Sequence, residues 1–153
     1  MKIIELLDEK SIIADMTSTT KLGVLEELAS TLVPGKDRLD LDTVVEVLME
    51  RERLGSTGIG DNVAIPHGKL ANLSGLRLAF GRSLQGVSFD SMDGKPSQLF
   101  FLLLAPVNSA GLHLKALAKI SRMFMSATFR ENLMQADQGH DIYQLLKEKD
   151  EET

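Results

Sequence analysis

The stretch "QLFFLLLAP", residues Gln98–Pro106, decides the fold, because every residue from Leu99 to Ala105 is apolar. A strand with one wet face alternates apolar and polar residues, whereas an unbroken apolar run is typical of a strand covered on both faces. The run is also far shorter than the roughly 20 residues that a membrane-spanning helix needs. We therefore predict a central strand with helices on both sides of its sheet, and no membrane insertion.

The segments on either side of this strand carry apolar residues at intervals of three and four, which predicts amphipathic helices. The expected helices cover 18–33, 41–54 and 109–126, with two more beginning near Thr128 and His140. Ser18 or Thr19 is expected to cap the first helix, Asp40 or Asp42 the second, and Thr128 the fourth. The charged tail, residues 148–153, is expected to fray.

Two further strands are expected, in "NVAIPH" (62–67), where Pro66 ends the strand, and in "LRLAFGRS" (76–83). The motif "MDGKP" between the second of these and the central strand is typical of a turn. Helices interleave with strands and no linker is visible. The fold class predicted is therefore α/β, with one domain in which helices cover both faces of a mixed sheet.

The bulk composition excludes several classes of protein. The 153 residues are 43% hydrophobic and 25% charged, as expected for one globular domain. A net charge of −5 disfavours a general nucleic-acid binder. The chain has no cysteine, and its first ten residues turn acidic too soon for a secretory signal, so we expect a cytoplasmic location.

The loop "GSTGIGDNVAIPHGK", residues 55–69, holds four glycines and His67. Pro66 stiffens the backbone before His67, and Gly68 lets another segment approach closely after it. Loops just beyond strand ends are where functional residues of open α/β sheets collect. A lone histidine is nevertheless more often structural than catalytic, so the loop needs further evidence.

Several chemistries do not fit this loop. A Walker loop and a dinucleotide-binding G-x-G-x-x-G motif would both require glycine at Val63. The three histidines of the chain lack metal-ligand spacing, so neither a metal nor a cofactor is expected. A hydrolase built on Ser56, His67 and Asp61 would lack a nucleophile elbow.

A histidine nucleophile fits better, because neutral imidazole carries a free lone pair near pH 7 and can attack phosphorus. Backbone N–H groups of the glycine-rich turn could bind the phosphoryl oxygens, and so could Arg51 at the preceding helix end. From the residues alone, the simpler interpretation of Arg51 is that it is a solvated cation. The simpler interpretation of His113 is that it lies at the edge of the core.

The segment "RERLGSTGIGDNVAIPHGKL" (51–70) closely resembles the active-site signature of enzyme IIA proteins of the fructose/mannitol class. These proteins belong to the bacterial phosphoenolpyruvate-dependent phosphotransferase system. Within the class, "STGIG" and "AIPHGKL" are most similar to the stand-alone, nitrogen-regulatory branch. The resemblance implies a single type 2 enzyme IIA domain over residues 1–153, with a mostly five-stranded mixed sheet.

The resemblance also implies roles for individual residues. His67 would accept phosphate, at Nε2, from a phosphorylated HPr-like carrier, with His113 beside it and Arg51 lining the site. Thr57 matches a hydroxyl that can bind the phosphoryl group or the ring. His140 has no counterpart and is expected at the surface.

Two functions follow from the resemblance. In the first, phosphorylation of His67 changes the affinity for a regulatory target, in nitrogen or potassium regulation. In the alternative, His67 passes phosphate to a fructose- or mannitol-specific enzyme IIB. Either way the carrier would dock on apolar residues around the loop, and Ile59, Ala64 and Phe80 are candidates.

Overall fold

The computed structural model describes residues 1–35, 37–109 and 111–153, and strand β6 runs through its centre. Residues 36 and 110, in the predicted break after the first helix and the predicted start of the third, lie outside the described residues. A short 3-10 helix, Ile3–Leu6, opens the chain. The elements that follow are β1 Leu7–Ile13, α1 Lys21–Ser30, α2 Leu41–Arg53, β2 Gly58–Gly60, β3 Val63–Ala64, β4 His67–Leu70, β5 Arg77–Val87, β6 Ser97–Pro106, α3 Gly111–Met123, α4 Ala127–Gln135 and α5 Gly139–Glu152.

The described strands form one mixed sheet in the order β1-β5-β6-β3-β2, and β4 also pairs with β6. Strands β5 and β6 are antiparallel, whereas β1 pairs with β5, and β3 and β4 pair with β6, in parallel. The predicted mixed α/β fold is confirmed. The sheet has six strands, one more than the five that the resemblance implied: the strand predicted over 62–67 is divided into β3 and β4, and the sequence pattern predicted neither β1 nor β2.

The split between β3 and β4 corrects the expectation that Pro66 ends the strand. Val63 lies opposite Leu99 and His67 opposite Leu103, so both halves keep one register on β6. Between them, the Ile65 N–H turns away and donates to the Thr57 carbonyl at 3.0 Å. Pro66 has no N–H to donate. His67 is therefore the first residue of a strand rather than a residue beyond one.

Strand β6 is buried on both faces, which confirms the interpretation of its apolar run. Successive side chains of a strand point to opposite faces, and the two hydrophobic clusters divide β6 accordingly. The α3–α5 side receives Leu99, Phe101, Leu103 and Ala105. The α1–α2 side receives Phe100, Leu102 and Leu104.

The helices occur where periodicity predicted them, but two caps differ. Thr20 caps α1 by accepting the Gly23 N–H at 3.0 Å, and Ser126 caps α4 by accepting the Phe129 N–H at 3.2 Å. Each observed cap lies one or two residues from the predicted one. The cap is the residue whose side chain reaches the N–H three positions on. Asp40 caps α2 as predicted.

The tail expected to fray is instead helical, since α5 continues to Glu152. Asp150 is buried there, and its Oδ2 accepts the Ile4 N–H at 3.0 Å. Its Oδ1 lies 2.7 Å from Nζ of Lys119 on α3. These contacts tie the last turn to α3 and to the start of the chain.

Gly68 in β4 lets helix α2 pack closely on the sheet. A Cβ at this position would lie 2.7 Å from Cγ1 of Val47, a stiff branched side chain. We expect Gly68→Ala to lower the free energy of unfolding by about 1–3 kcal/mol, the usual cost of overpacking. Urea unfolding measures this.

Gly75→Ala is the matched control, because a Cβ at Gly75 would meet no atom within 4 Å. Adding Val47→Ala should restore much of the stability lost in Gly68→Ala, since it removes the clashing methyl group. Equal stability of the Gly68→Ala and Gly75→Ala proteins would contradict the packing role.

Candidate active site

A cavity of about 710 Å³ opens where α2, β4, β6 and α3 meet. Its walls combine apolar and charged side chains. They are Val47, Glu50, Arg51, Arg53, Leu54, His67, Gly68, Lys69, Leu103, Ala105 and His113. Three of these residues are permanently cationic and one is acidic, although the chain as a whole is acidic. The cavity therefore suits an anionic group.

His67 is half-buried at the start of β4, and its Nδ1 lies 2.9 Å from the Ile65 carbonyl oxygen. A carbonyl only accepts hydrogen bonds, so Nδ1 must carry the proton and donate it. In the neutral ring, the lone pair then lies on Nε2. This is the nitrogen that the resemblance implied as the phosphate acceptor.

The surroundings of His67 keep its ring neutral. Burial lowers the pKa of His67 below its ordinary 6.5, and the positive charge of Arg51 lowers it further. The hydrogen bond to Ile65 and the negative charge of Glu52 raise the pKa but do not cancel that effect. The imidazole is therefore predominantly uncharged at pH 7, and the neutral ring is the form that acts as a nucleophile.

We expect the pKa of His67 to lie below 6.5 in the folded protein and near 6.5 in the urea-unfolded chain. Phosphate uptake should rise with pH through this depressed pKa and level off above it, because only the neutral ring reacts. A nuclear magnetic resonance titration of the ring protons measures the pKa in both states. A folded-state pKa above 6.5 would contradict the neutral-ring argument.

Arg51 and His113 reach the same cavity from two helices. Arg51 lies in the last turn of α2, where its Nη1 donates to the Gly55 carbonyl at 2.8 Å. His113 lies in the first turn of α3, and its Nδ1 is buried without a hydrogen-bond partner among the described residues. The residue lines the cavity although its Nδ1 is covered.

Thr57 and the loop glycines take other positions than expected. Thr57 is buried and does not line the cavity; its N–H donates to Oε1 of Glu52 at 3.1 Å and its hydroxyl donates to Oε2. Gly58 and Gly60 form β2, where the bare Gly58 leaves room for Ser91. The phosphate cradle expected from these glycines is therefore not part of the described cavity.

Glu52 is the residue that sequence reasoning missed. Its side chain is 2% exposed and binds both Thr57 and Lys21. One signal was available, because a carboxylate in the last turn of a helix opposes the helix dipole. Glu52 stands there between Arg51 and Arg53, two cations that suit this end of the helix.

The candidate docking residues need correction as well. Ala64 and Phe80 are fully buried, because they belong to β3 and β5 inside the sheet. Ile59 is exposed, but Leu54 is the most exposed apolar residue of the cavity wall, at 86%. It stands at the C-terminal end of α2.

His140 lies at the surface, as predicted, with its Nδ1 3.5 Å from Oε1 of Glu9. Among the described residues, no three histidine or acidic side chains come together as a metal site would require. No helix of the described chain combines the length and the hydropathy needed to cross a membrane.

Comparison with known proteins supplies the family. Residues 5–149 match the family model described as "Phosphoenolpyruvate-dependent sugar phosphotransferase system, EIIA 2". The chain is 38% identical to a nitrogen regulatory protein of Bradyrhizobium diazoefficiens, over 95% of each chain. It is 35% identical, over 98% of its length, to the fructose-specific EIIABC component of Bacillus subtilis, but spans only 24% of that protein.

A solved structure agrees with these relatives. The crystal structure of the nitrogen regulatory protein IIA-Ntr from Neisseria meningitidis is 38% identical and superposes with a TM-score of 0.88, over 94% of this chain and 98% of that one. The chain therefore belongs to the type 2 enzyme IIA family of the phosphoenolpyruvate-dependent phosphotransferase system, and its relatives support the nitrogen-regulatory branch.

Proposed function

We propose that this protein is a phosphoryl relay in which His67 accepts a phosphoryl group at Nε2 from a phosphorylated HPr-like carrier. The observation that carries the proposal is the 2.9 Å hydrogen bond from Nδ1 to the Ile65 carbonyl. It leaves Nε2 unprotonated in a half-buried ring at the wall of a cationic cavity.

In the proposed step, the Nε2 lone pair forms a bond to phosphorus while the phosphorus–nitrogen bond of the carrier breaks. The electron pair of that bond stays on the carrier's nitrogen. No proton has to leave His67, because Nδ1 keeps its hydrogen. Transfer of this kind depends on positioning and on charge stabilisation at the phosphoryl oxygens.

We expect Arg51 and His113, which line the same cavity as His67, to supply that charge stabilisation. The guanidinium of Arg51 offers charge-assisted hydrogen bonds to phosphoryl oxygens. His113 approaches from α3, across the cavity wall from α2. Thr57 contributes through Glu52 rather than by direct contact with phosphate, since both of its donors are occupied.

The regulatory output is the second part of the proposal. Phosphorylation adds about −1.5 to −2 charges to a cavity whose walls are cationic. It would change the binding of any target that contacts this face. The nitrogen regulatory proteins among the relatives favour this role.

A specific observation favours a second candidate, transfer to a sugar-specific enzyme IIB. The Bacillus subtilis relative is named as a fructose-specific component, and this chain spans only its enzyme IIA-like quarter. Both roles require phosphorylated His67. In the regulatory role the phosphoprotein binds a target differently, and in the transport role it passes the phosphoryl group to an enzyme IIB.

The test is to incubate the protein with phosphoenolpyruvate, enzyme I and HPr or its nitrogen-branch homologue, and to map the modified peptide by mass spectrometry. We expect one acid-labile, base-stable phosphoryl group on the peptide that contains His67. Absence of uptake with either carrier would overturn the relay. Rapid discharge to a purified fructose-specific enzyme IIB would favour transport, and a stable phosphoprotein would favour regulation.

A further inference from the structure

We propose that Glu52 is a positioning residue for His67, acting through the backbones of Thr57 and Ile65. The inference deepens the relay and rests on the proposed function of His67. Glu52 does not line the cavity, and no step of the relay described above requires it.

Three hydrogen bonds connect Glu52 to the reacting ring. Oε1 of Glu52 accepts the Thr57 N–H at 3.1 Å, and the Thr57 carbonyl accepts the Ile65 N–H at 3.0 Å. The Ile65 carbonyl in turn accepts the Nδ1–H of His67 at 2.9 Å. Thr57 and Ile65 are thus each anchored through both their N–H and C=O groups. The carbonyl that selects the His67 tautomer is held in place from the end of α2.

The carboxylate of Glu52 is also held by Lys21 of helix α1, which has further contacts of its own. Nζ of Lys21, the first residue of α1, lies 3.1 Å from Oε1 of Glu52 and 3.2 Å from Asp90. It also lies 4.8 Å from the centre of the Phe89 ring. Glu52 can therefore move only if several packed groups move with it.

Stability alone does not account for this arrangement. A carboxylate at a helix C-terminus opposes the helix dipole, and its burial costs solvation. Buried ion pairs can often be replaced by apolar residues of similar volume without loss of stability. The geometry instead gives Glu52 a use, because its hydrogen bond to the Thr57 N–H leads on to the backbone of Ile65, whose carbonyl holds the ring of His67.

The chemistry of phosphoryl transfer gives the Ile65 carbonyl its importance. When Nε2 bonds phosphorus, positive charge develops on the ring and the Nδ1–H donates more strongly. A displaced carbonyl would weaken that bond. It would also allow the tautomer with its proton on Nε2, whose lone pair is then no longer free.

Imidazole ¹⁵N chemical shifts distinguish the two tautomers and test the inference directly. We expect the wild-type protein to hold His67 with the proton on Nδ1. The Glu52→Ala protein should show a mixture of tautomers. It should also take up phosphate more slowly, by about 10–100-fold, the loss found when a residue that orients a metal-bound histidine is removed.

Glu52→Gln serves as the conservative variant, because the amide oxygen can still accept the Thr57 N–H. It should recover most of the tautomer preference and rate, even if Glu52→Ala does not fold. Glu46→Gln is the matched control: Glu46 is exposed on the same helix, and its replacement should change neither measurement.

The outcomes separate this inference from the relay itself. If wild type takes up phosphate on His67 and the folded Glu52→Ala protein keeps the wild-type tautomer and rate, Glu52 does not position His67. If wild type takes up no phosphate, the relay fails, and the tautomer populations still decide the role of Glu52. The positioning role of Glu52 is supported if the His67 tautomer changes in the Glu52→Ala protein and stays as in wild type in the Glu46→Gln protein.

Discussion

Replacement of His67 by glutamine is expected to reduce phosphate uptake to the background of the assay. The amide of glutamine can occupy a similar volume, but its nitrogen lone pair is delocalised and does not attack phosphorus. Loss of a nucleophile in a protease costs on the order of 10⁶-fold in rate. A comparable loss here would leave no measurable phosphoprotein.

His140→Gln is the matched control, since His140 is 64% exposed and lies outside the cavity wall. Its uptake should equal that of wild type. His113→Ala should still carry the label on His67 but acquire it more slowly. Wild-type uptake by the His67→Gln protein would place the nucleophile elsewhere, and His113 would be tested next.

The helices and the central strand were predictable because their signals are local, whereas β1 and β2 were not predicted. Seven consecutive apolar residues from Leu99 to Ala105 indicate a strand buried on both faces whatever surrounds it. The helices repeat apolar residues at the spacing of one helical face. The caps were less predictable, because several neighbouring serines and threonines compete for each helix start.

The break in the strand before His67 was not predictable, because it depends on a distant partner. Ile65 bonds Thr57 across the β2–β3 hairpin, and only the folded loop brings the two together. The contacts of Glu52 were not predictable either, because its carboxylate could equally have pointed to solvent.

The candidate site was predictable only in part for a related reason. The residue types of His67, Arg51 and His113 suit phosphate chemistry, and the structure brings all three to one cavity. Their approach depends on packing, since residues 51 and 113 lie on helices against opposite faces of the sheet. Ala64 and Phe80 show the opposite error, because apolar residues near a functional loop belong to the core by default.

Arg82→Met is expected to destabilise the protein strongly. The Arg82 side chain lies on β5 and is 3% exposed. Nothing in the segment "LRLAFGRS" indicates that this arginine is buried. Its Nε donates to the Ala14 carbonyl at 3.0 Å, and its Nη1 donates to the carbonyls of Leu133, at 2.9 Å, and Ala136. One guanidinium thereby joins β5, the segment after β1 and the end of α4.

Methionine fills the space of the arginine stem but donates no hydrogen bond. The carbonyls at the end of α4 would remain partly buried without their donor, and each such group costs about 1–3 kcal/mol. The positive charge at the negative end of the helix dipole is lost as well. We expect a loss of about 3–5 kcal/mol, the lower part of the sum for the three carbonyls that lose their donor.

Urea unfolding measures this loss, and Arg122→Met supplies the comparison. Arg122 is exposed in the last turn of α3, so its replacement should change the free energy of unfolding by no more than about 0.5 kcal/mol. A domain of this kind is stable by roughly 5–15 kcal/mol. The Arg82→Met protein should therefore still fold, with a lower midpoint and an unchanged slope. If its midpoint equals that of Arg122→Met, water or backbone movement satisfies the α4 carbonyls, and Arg82 does not hold α4 to the sheet.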